Sequence, residues 1–218
     1  MKLLSVILAR AYWFCHIIDI NPKGINLYPI ITPLLVSSYK FKNYPTSIID
    51  ETKEVKFENG EFINDKNVPI SVNLSIFSDG LVVDTRSSTN DSDAFLIDIL
   101  TRLSEEFNLP HYSEVIKRKA YISQLHVYTD KALHLINPKL QKINSYLSEN
   151  IIGFDNVTFE VGGIHFWPDQ TKAIKPISFI FERVLNTPFS ENRYYTAAPL
   201  QTNQHLELID KLENILLK

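Results

Sequence analysis

The sequence predicts an α+β domain, a mostly antiparallel sheet with about three helices packed on one face, and three observations carry that reading. Two turn-forming dipeptides, Asn59-Gly60 and Asp79-Gly80, each separate short runs with strand character. Three stretches place apolar residues at helical spacing. Strands and helices do not alternate regularly, which argues against a doubly wound parallel sheet. The chain is read as one domain over residues 1–218. The polar run Ser87-Ser88-Thr89-Asn90-Asp91 marks where a subdivision near 87–92 would fall.

Residues 3–20 and 25–42 read as extended segments, with the turn between them at Pro22 and Gly24. Pro29 and Pro33 suit an edge strand or an irregular stretch. The short apolar run Leu3–Leu8 is interrupted at Arg10 and then resumes, so it reads as a first strand rather than a leader peptide. Asn59-Gly60 predicts a hairpin. The second hairpin reads with a two-residue loop at Asp79-Gly80, setting Phe77 opposite Val82 and Ile76 opposite Val83. Val72, Leu74, Ile76, Leu81 and Val83 then share one face, and Asn73, Ser75, Phe77, Val82, Asp84 and Arg86 the other.

A helix is expected from about Ser92 to Phe107, on the stripe Leu96, Ile99, Leu100, Leu103 and Phe107. Asp91 and Asp93 suit its positive end. A second begins at Asn137-Pro138, a cap residue followed by a first-turn proline, with the stripe Leu140, Ile143, Leu147 and Ile151 facing the core and Gly153 ending it. A third starts near Thr202, with Leu206, Ile209, Leu212 and Leu216 inward. Tyr121–Tyr128, Val157–Trp167 and Ile177–Arg183 read as strands. Residues 42–53 and 184–201 read as irregular.

Composition narrows the function. Hydrophobic residues make up 44% and charged residues 22% of the 218, enough for a sizeable core. The formal net charge of -3 argues against a general nucleic-acid partner, which needs a Lys/Arg excess. One cysteine, Cys15, excludes an internal disulfide and a Cys-rich zinc site. It fits a reducing, cytoplasmic setting. The abundance of Ile, Asn and Lys fits an AT-rich microbial genome. No run approaches the roughly 20 apolar residues of a membrane helix. No glycine-rich phosphate loop, nucleophile elbow, His-Glu-x-x-His or calcium loop is present. No cofactor or metal is therefore expected.

Two constellations merit attention. Leu125-His126-Val127-Tyr128-Thr129-Asp130 echoes Ile164-His165-Phe166-Trp167-Pro168-Asp169. On neighbouring strands, His126 and His165 would serve as general acid and base on a phosphoester. The pattern partly resembles the twin-histidine phosphoesterases. Tyr128 and Trp167, however, stand where those enzymes carry Ser or Thr, so no family is identified from it. The second constellation is the segment 188–195, in which Phe189, Arg193, Tyr194 and Tyr195 are residue types favoured at binding surfaces.

Weaker candidates have ordinary structural readings. Asp84 with Arg86 reads as a solvated ion pair, and Asp50 with Glu54-Val55-Lys56 as an exposed charged hairpin rather than a metal-dependent nuclease. Cys15 and His16, as strand neighbours, point to opposite faces and form no dyad. Lys117-Arg118-Lys119 and Tyr39-Lys40-Phe41-Lys42 read as strand-flanking charges. The leading expectation is a non-catalytic binding or assembly module, with a protein partner or self-association and no membrane. The alternative is a small phosphoesterase-like hydrolase using the two histidines.

Overall fold

The computed structural model describes residues 1–24, 28–45 and 54–216. In chain order the elements are β1 (Lys2–Phe14), α1 (Ile17–Ile20), α2 (Tyr28–Tyr39), β2 (Val55–Ile63), β3 (Pro69–Phe77), β4 (Gly80–Thr85), α3 (Thr89–Phe107), α4 (Tyr112–Val115) and β5 (Arg118–Tyr128). They continue with α5 (Gln141–Asn150), β6 (Gly163–Phe166), β7 (Phe179–Arg183), β8 (Arg193–Ala198) and α6 (Thr202–Leu216). This is the expected α+β class with an antiparallel sheet. Among the described residues, no helix is long and apolar enough to cross a membrane.

The chain forms two compact units. The first comprises Ile7–Ser123 with Leu200–Thr202. The second comprises Met1–Val6, Gln124–Pro199 and Asn203–Lys218. Strands β1 and β5 run through both. The polar stretch at 87–92 lies inside the first unit.

In the first unit the strand order is β2-β3-β4-β1-β5. One face carries Ala11, Trp13, Val72, Leu74, Leu81 and Val83, all buried against Phe95, Leu96, Ile99 and Leu100 of α3. Two polar ties fix α3 to the sheet. Ser92 Oγ donates to the Ala9 carbonyl at 2.9 Å. Asp93 accepts from Trp13 Nε1 at 2.6 Å and from the Tyr121 hydroxyl at 2.8 Å.

Helix α3 begins four residues after β4 because Ser88 caps it. Ser88 Oγ accepts the Asp91 N–H at 3.1 Å, the N-cap bond, and donates to the Asp91 carboxylate at 2.9 Å. Asn64 Nδ2 donates to the same carboxylate at 3.0 Å. Burial opposes ionisation of Asp91, but hydrogen bonds from Asn64, Ser87 and Ser88 outweigh it and hold the carboxyl below its ordinary value. A carboxyl depressed in the folded state contributes its stability above the unfolded pKa of about 3.9 and loses it as pH falls through the lower folded value. Asp91→Asn should therefore flatten the acid limb. Urea titrations from about pH 5 down to pH 2.5 should show wild type losing more stability than the variant; equal losses would refute the role.

Several expectations are corrected. Residues 28–39 form helix α2, not an extended segment. Pro29 sits in its first turn, where a missing N–H leaves no acceptor unmet, and Pro33 is carried inside at the loss of one bond. Burial of Leu35 and Tyr39 holds this helix in place. Asn59-Gly60 is a bulge within β2, not a hairpin: the β2–β3 register skips between Phe57 and Gly60, and Asn59 takes a φ of 55°. A Cβ at Gly60 would stand 2.5 Å from the Phe41 ring, so glycine is needed there for close approach. The reversal into β3 comes instead at 64–68, where Asn64 Oδ1 accepts the N–H groups of Lys66 and Val68.

In the second hairpin Phe77 pairs with Gly80 and Ile76 with Leu81. The turn is thus Ser78-Asp79, and β4 sits two residues from the expected register. A slip of two leaves every side chain on its expected face.

In the second unit β8 lies between β5 and β7, and β6 forms the edge. Leu125, Val127, Phe181, Tyr194 and Ile209 form its core. Helix α6 is joined to β8 by Thr196 Oγ1 and His205 Nε2, 2.9 Å apart. The expected strand over 157–167 pairs only at Gly163–Phe166. The stretch 184–201, read as irregular, contains β8. The core-facing stripe expected of the second helix is not core: no residue of α5 is buried.

Candidate functional site

The two main constellations singled out in the sequence, His126 with His165 and the segment 188–195, fall in the second unit. His126 lies on β5 and His165 on β6, with β8 and β7 between them. Three strand spacings, about 14 Å at the ordinary interval, separate the strands that carry the two histidines. His126 stands edge-on to Tyr195, with ring centroids 6.1 Å apart. His165 Nε2 lies 3.3 Å from a Glu182 carboxylate oxygen.

The segment 188–195 splits between a loop and a strand. Phe189 opens a short 3₁₀ turn and is 38% exposed. Arg193, Tyr194 and Tyr195 begin β8, so alternation sends them to opposite faces. Tyr194 is fully buried, stacked on Phe181 at 4.6 Å. Burial raises its hydroxyl pKa above the ordinary value, and does the same at Tyr195. Arg193 is exposed and pairs with Glu191 at 3.0 Å. Arg183 organises the loop: it donates to the Phe189 carbonyl at 2.9 Å and to Glu160 at 2.6 Å, beneath the Phe189 ring. Of the four candidate residues in this segment, Phe189 and Arg193 are the ones left exposed here.

The larger accessible feature is one that sequence reasoning turned the wrong way. A 3₁₀ turn at Pro138–Leu140, capped by Asn137, leads into α5. The polar side of α5 faces the stretch 158–160. Gln141, Asn144, Ser145, Ser148 and, at its edge, Glu149 line a groove of about 590 Å³ with Thr158, Phe159 and Glu160. Ser148 Oγ accepts the Phe159 N–H at 3.0 Å and donates to the Asn144 carbonyl at 2.9 Å. The apolar side faces outward, with Ile143 55%, Tyr146 66% and Leu147 43% exposed. Ile152 and Phe154, just past the helix, are more exposed still. An apolar group of this kind, rimmed by polar residues, is the usual mark of an interaction surface.

In the first unit, the sheet face opposite α3 is open. Arg10 donates through Nε and Nη2 to both oxygens of Asp84, at 2.5 and 2.6 Å. Arg10, not Arg86, is therefore the partner of Asp84. Its hydrogen bonds to Asp84, opposed by partial burial, raise the Arg10 pKa. Tyr12 and Phe14 run parallel beside it at 6.2 Å, and Arg118 lies 4.2 Å over Phe14. With Ser75, Phe77 and Val82 these rings border a cleft of about 390 Å³.

The remaining candidates are occupied by neighbours. Glu54 pairs with Lys56 at 2.8 Å, and Asp50 lies outside the described residues. Lys117 pairs with Asp19, and Lys119 lies 3.6 Å over Trp13. Tyr39 and Phe41 are core residues, and Lys40 pairs with Glu61. Cys15 is buried beside exposed His16, and burial pushes its thiol up to about 11. Among the described residues, no three His, Cys, Asp or Glu side chains gather as a metal site.

The fold is of the α+β class, built on an antiparallel sheet. Comparison with known proteins found no family model that matches the chain and no curated protein similar to it.

Proposed function

We propose that this chain is a non-catalytic binding or assembly module of a microbial cytoplasm. The outward apolar face of α5 carries the reading. An amphipathic helix normally turns its apolar side to the core. Here the polar side borders residues 158–160, while Ile143, Tyr146 and Leu147 meet water. An arrangement that exposes apolar area makes physical sense when a partner covers it. The cytoplasmic part of the reading rests on a single buried cysteine kept as a thiol. The two strands that stand between β5, which carries His126, and β6, which carries His165, support the binding reading over a histidine-pair hydrolase.

Tyr146 is the probe. A photoactivatable phenylalanine analogue placed at position 146, irradiated in cells that make the protein, should give a discrete protein adduct. The same analogue at Glu207 on α6, an exposed site away from α5, should give none. Absence of an adduct at 146 would refute binding through this surface.

A further inference from the structure

We infer that the partner of α5 is the α5 of a second copy of this chain, packed antiparallel about a two-fold axis. The inference rests on the binding reading above and names its partner.

The charges on the helix carry it. Lys139 and Lys142 stand at the N-terminal end and Glu149 at the C-terminal end. Each sign opposes the helix macrodipole, which favours acids at the start and bases at the end. Among the described residues, none of the three side chains makes a hydrogen bond or ion pair. Within one chain these charges are placed unfavourably. Beside an antiparallel copy they become complementary. Lys142 and Glu149 are seven residues and two turns apart on one edge of the apolar face, about 10 Å along the axis. A two-fold axis through the apolar face, at the level of residues 145 and 146 along the helix, brings Lys142 of each copy opposite Glu149 of the other. The same axis sets Ile143 against Leu147 of the second copy and places the two Tyr146 rings beside the axis. The surface is thus self-complementary in both shape class and charge, as an isologous interface requires.

The experiment is a charge swap on the full chain, read by sedimentation equilibrium over a concentration series. Wild type should reach twice the chain mass. Lys142→Glu and Glu149→Lys should each weaken the dimer about tenfold or more, because like charges then face each other. The double variant Lys142→Glu/Glu149→Lys should recover the dimer. An equimolar mixture of the two single variants should form mixed dimers, since both contacts are then attractive. The residues are exposed, and circular dichroism confirms that each variant keeps its fold. A wild type that stays monomeric at every concentration would overturn self-pairing, as would a dimer indifferent to both reversals. A Tyr146 adduct to a different protein, from a chain that sediments as monomer, would overturn the inference and leave the binding reading standing. No adduct at position 146 would overturn both.

Discussion

Trp13→Ala is expected to cost the first unit about 3–5 kcal/mol, the range for emptying a fully buried aromatic site. Trp13 is 0% exposed in the middle of the sheet. Its ring lies against Tyr112 at 5.7 Å and beneath the Lys119 ammonium at 3.6 Å. Its Nε1–H is also one of two donors to Asp93, so truncation creates a cavity and strips a hydrogen bond from a carboxylate that pins α3. Trp13→Phe keeps most of the volume and loses only the donor; it should cost about 1–3 kcal/mol. Urea unfolding followed by far-ultraviolet circular dichroism separates the two. An alanine variant within about 1 kcal/mol of wild type would mean the site collapses around the loss, contrary to a close-packed core.

Tyr194→Ala is the second large effect, again about 3–5 kcal/mol. The ring is fully buried, stacked on Phe181 and 5.4 Å from the Arg183 guanidinium. Its neighbour offers the contrast. Arg193 is exposed, pairs only with exposed Glu191, and its replacement by Ala should change stability by no more than about 0.5 kcal/mol. Thermal or urea denaturation of the two variants side by side tests this. A binding defect in Tyr194→Ala would then report lost packing, whereas one in Arg193→Ala would report a lost contact. If the two variants proved equally stable, Tyr194 would not be the core residue its burial indicates.

Much of the first unit was legible in the sequence. The stripe on α3, the alternation in β3 and β4 and the faces of the second hairpin followed from periods of 3.6 and 2. The faces survived even though the turn fell at Ser78-Asp79, because a two-residue slip preserves the pleat. What misled was turn chemistry read without neighbours. Asn59-Gly60 has the composition of a hairpin turn, yet Phe41, eighteen residues upstream, packs where a Cβ would sit and makes the pair a bulge. Pro29 and Pro33 suggested an edge strand, while burial of Leu35 and Tyr39 holds a helix around them.

The candidate site was visible as a pattern and hidden as a direction. Leu140, Ile143 and Leu147 were read as a helical stripe, and the helix is there. The clue to its orientation was also present: charges set against the macrodipole, followed by the apolar pair Ile151-Ile152 that no strand requires. Likewise His126 and His165 were placed on strands, but strand order decides whether two strands are neighbours.

By itself the sequence determined the class of the fold, where α3 and α6 begin to within a few residues, and which side chains share a face. These depend on residues a few positions apart, through caps, periodicity and alternation. Tertiary structure alone decided that β8 and β7 come between the histidines, that Tyr194 is core, and that the apolar side of α5 faces outward. Those outcomes depend on which distant segments compete for the same buried surface, and a local pattern carries no record of that competition.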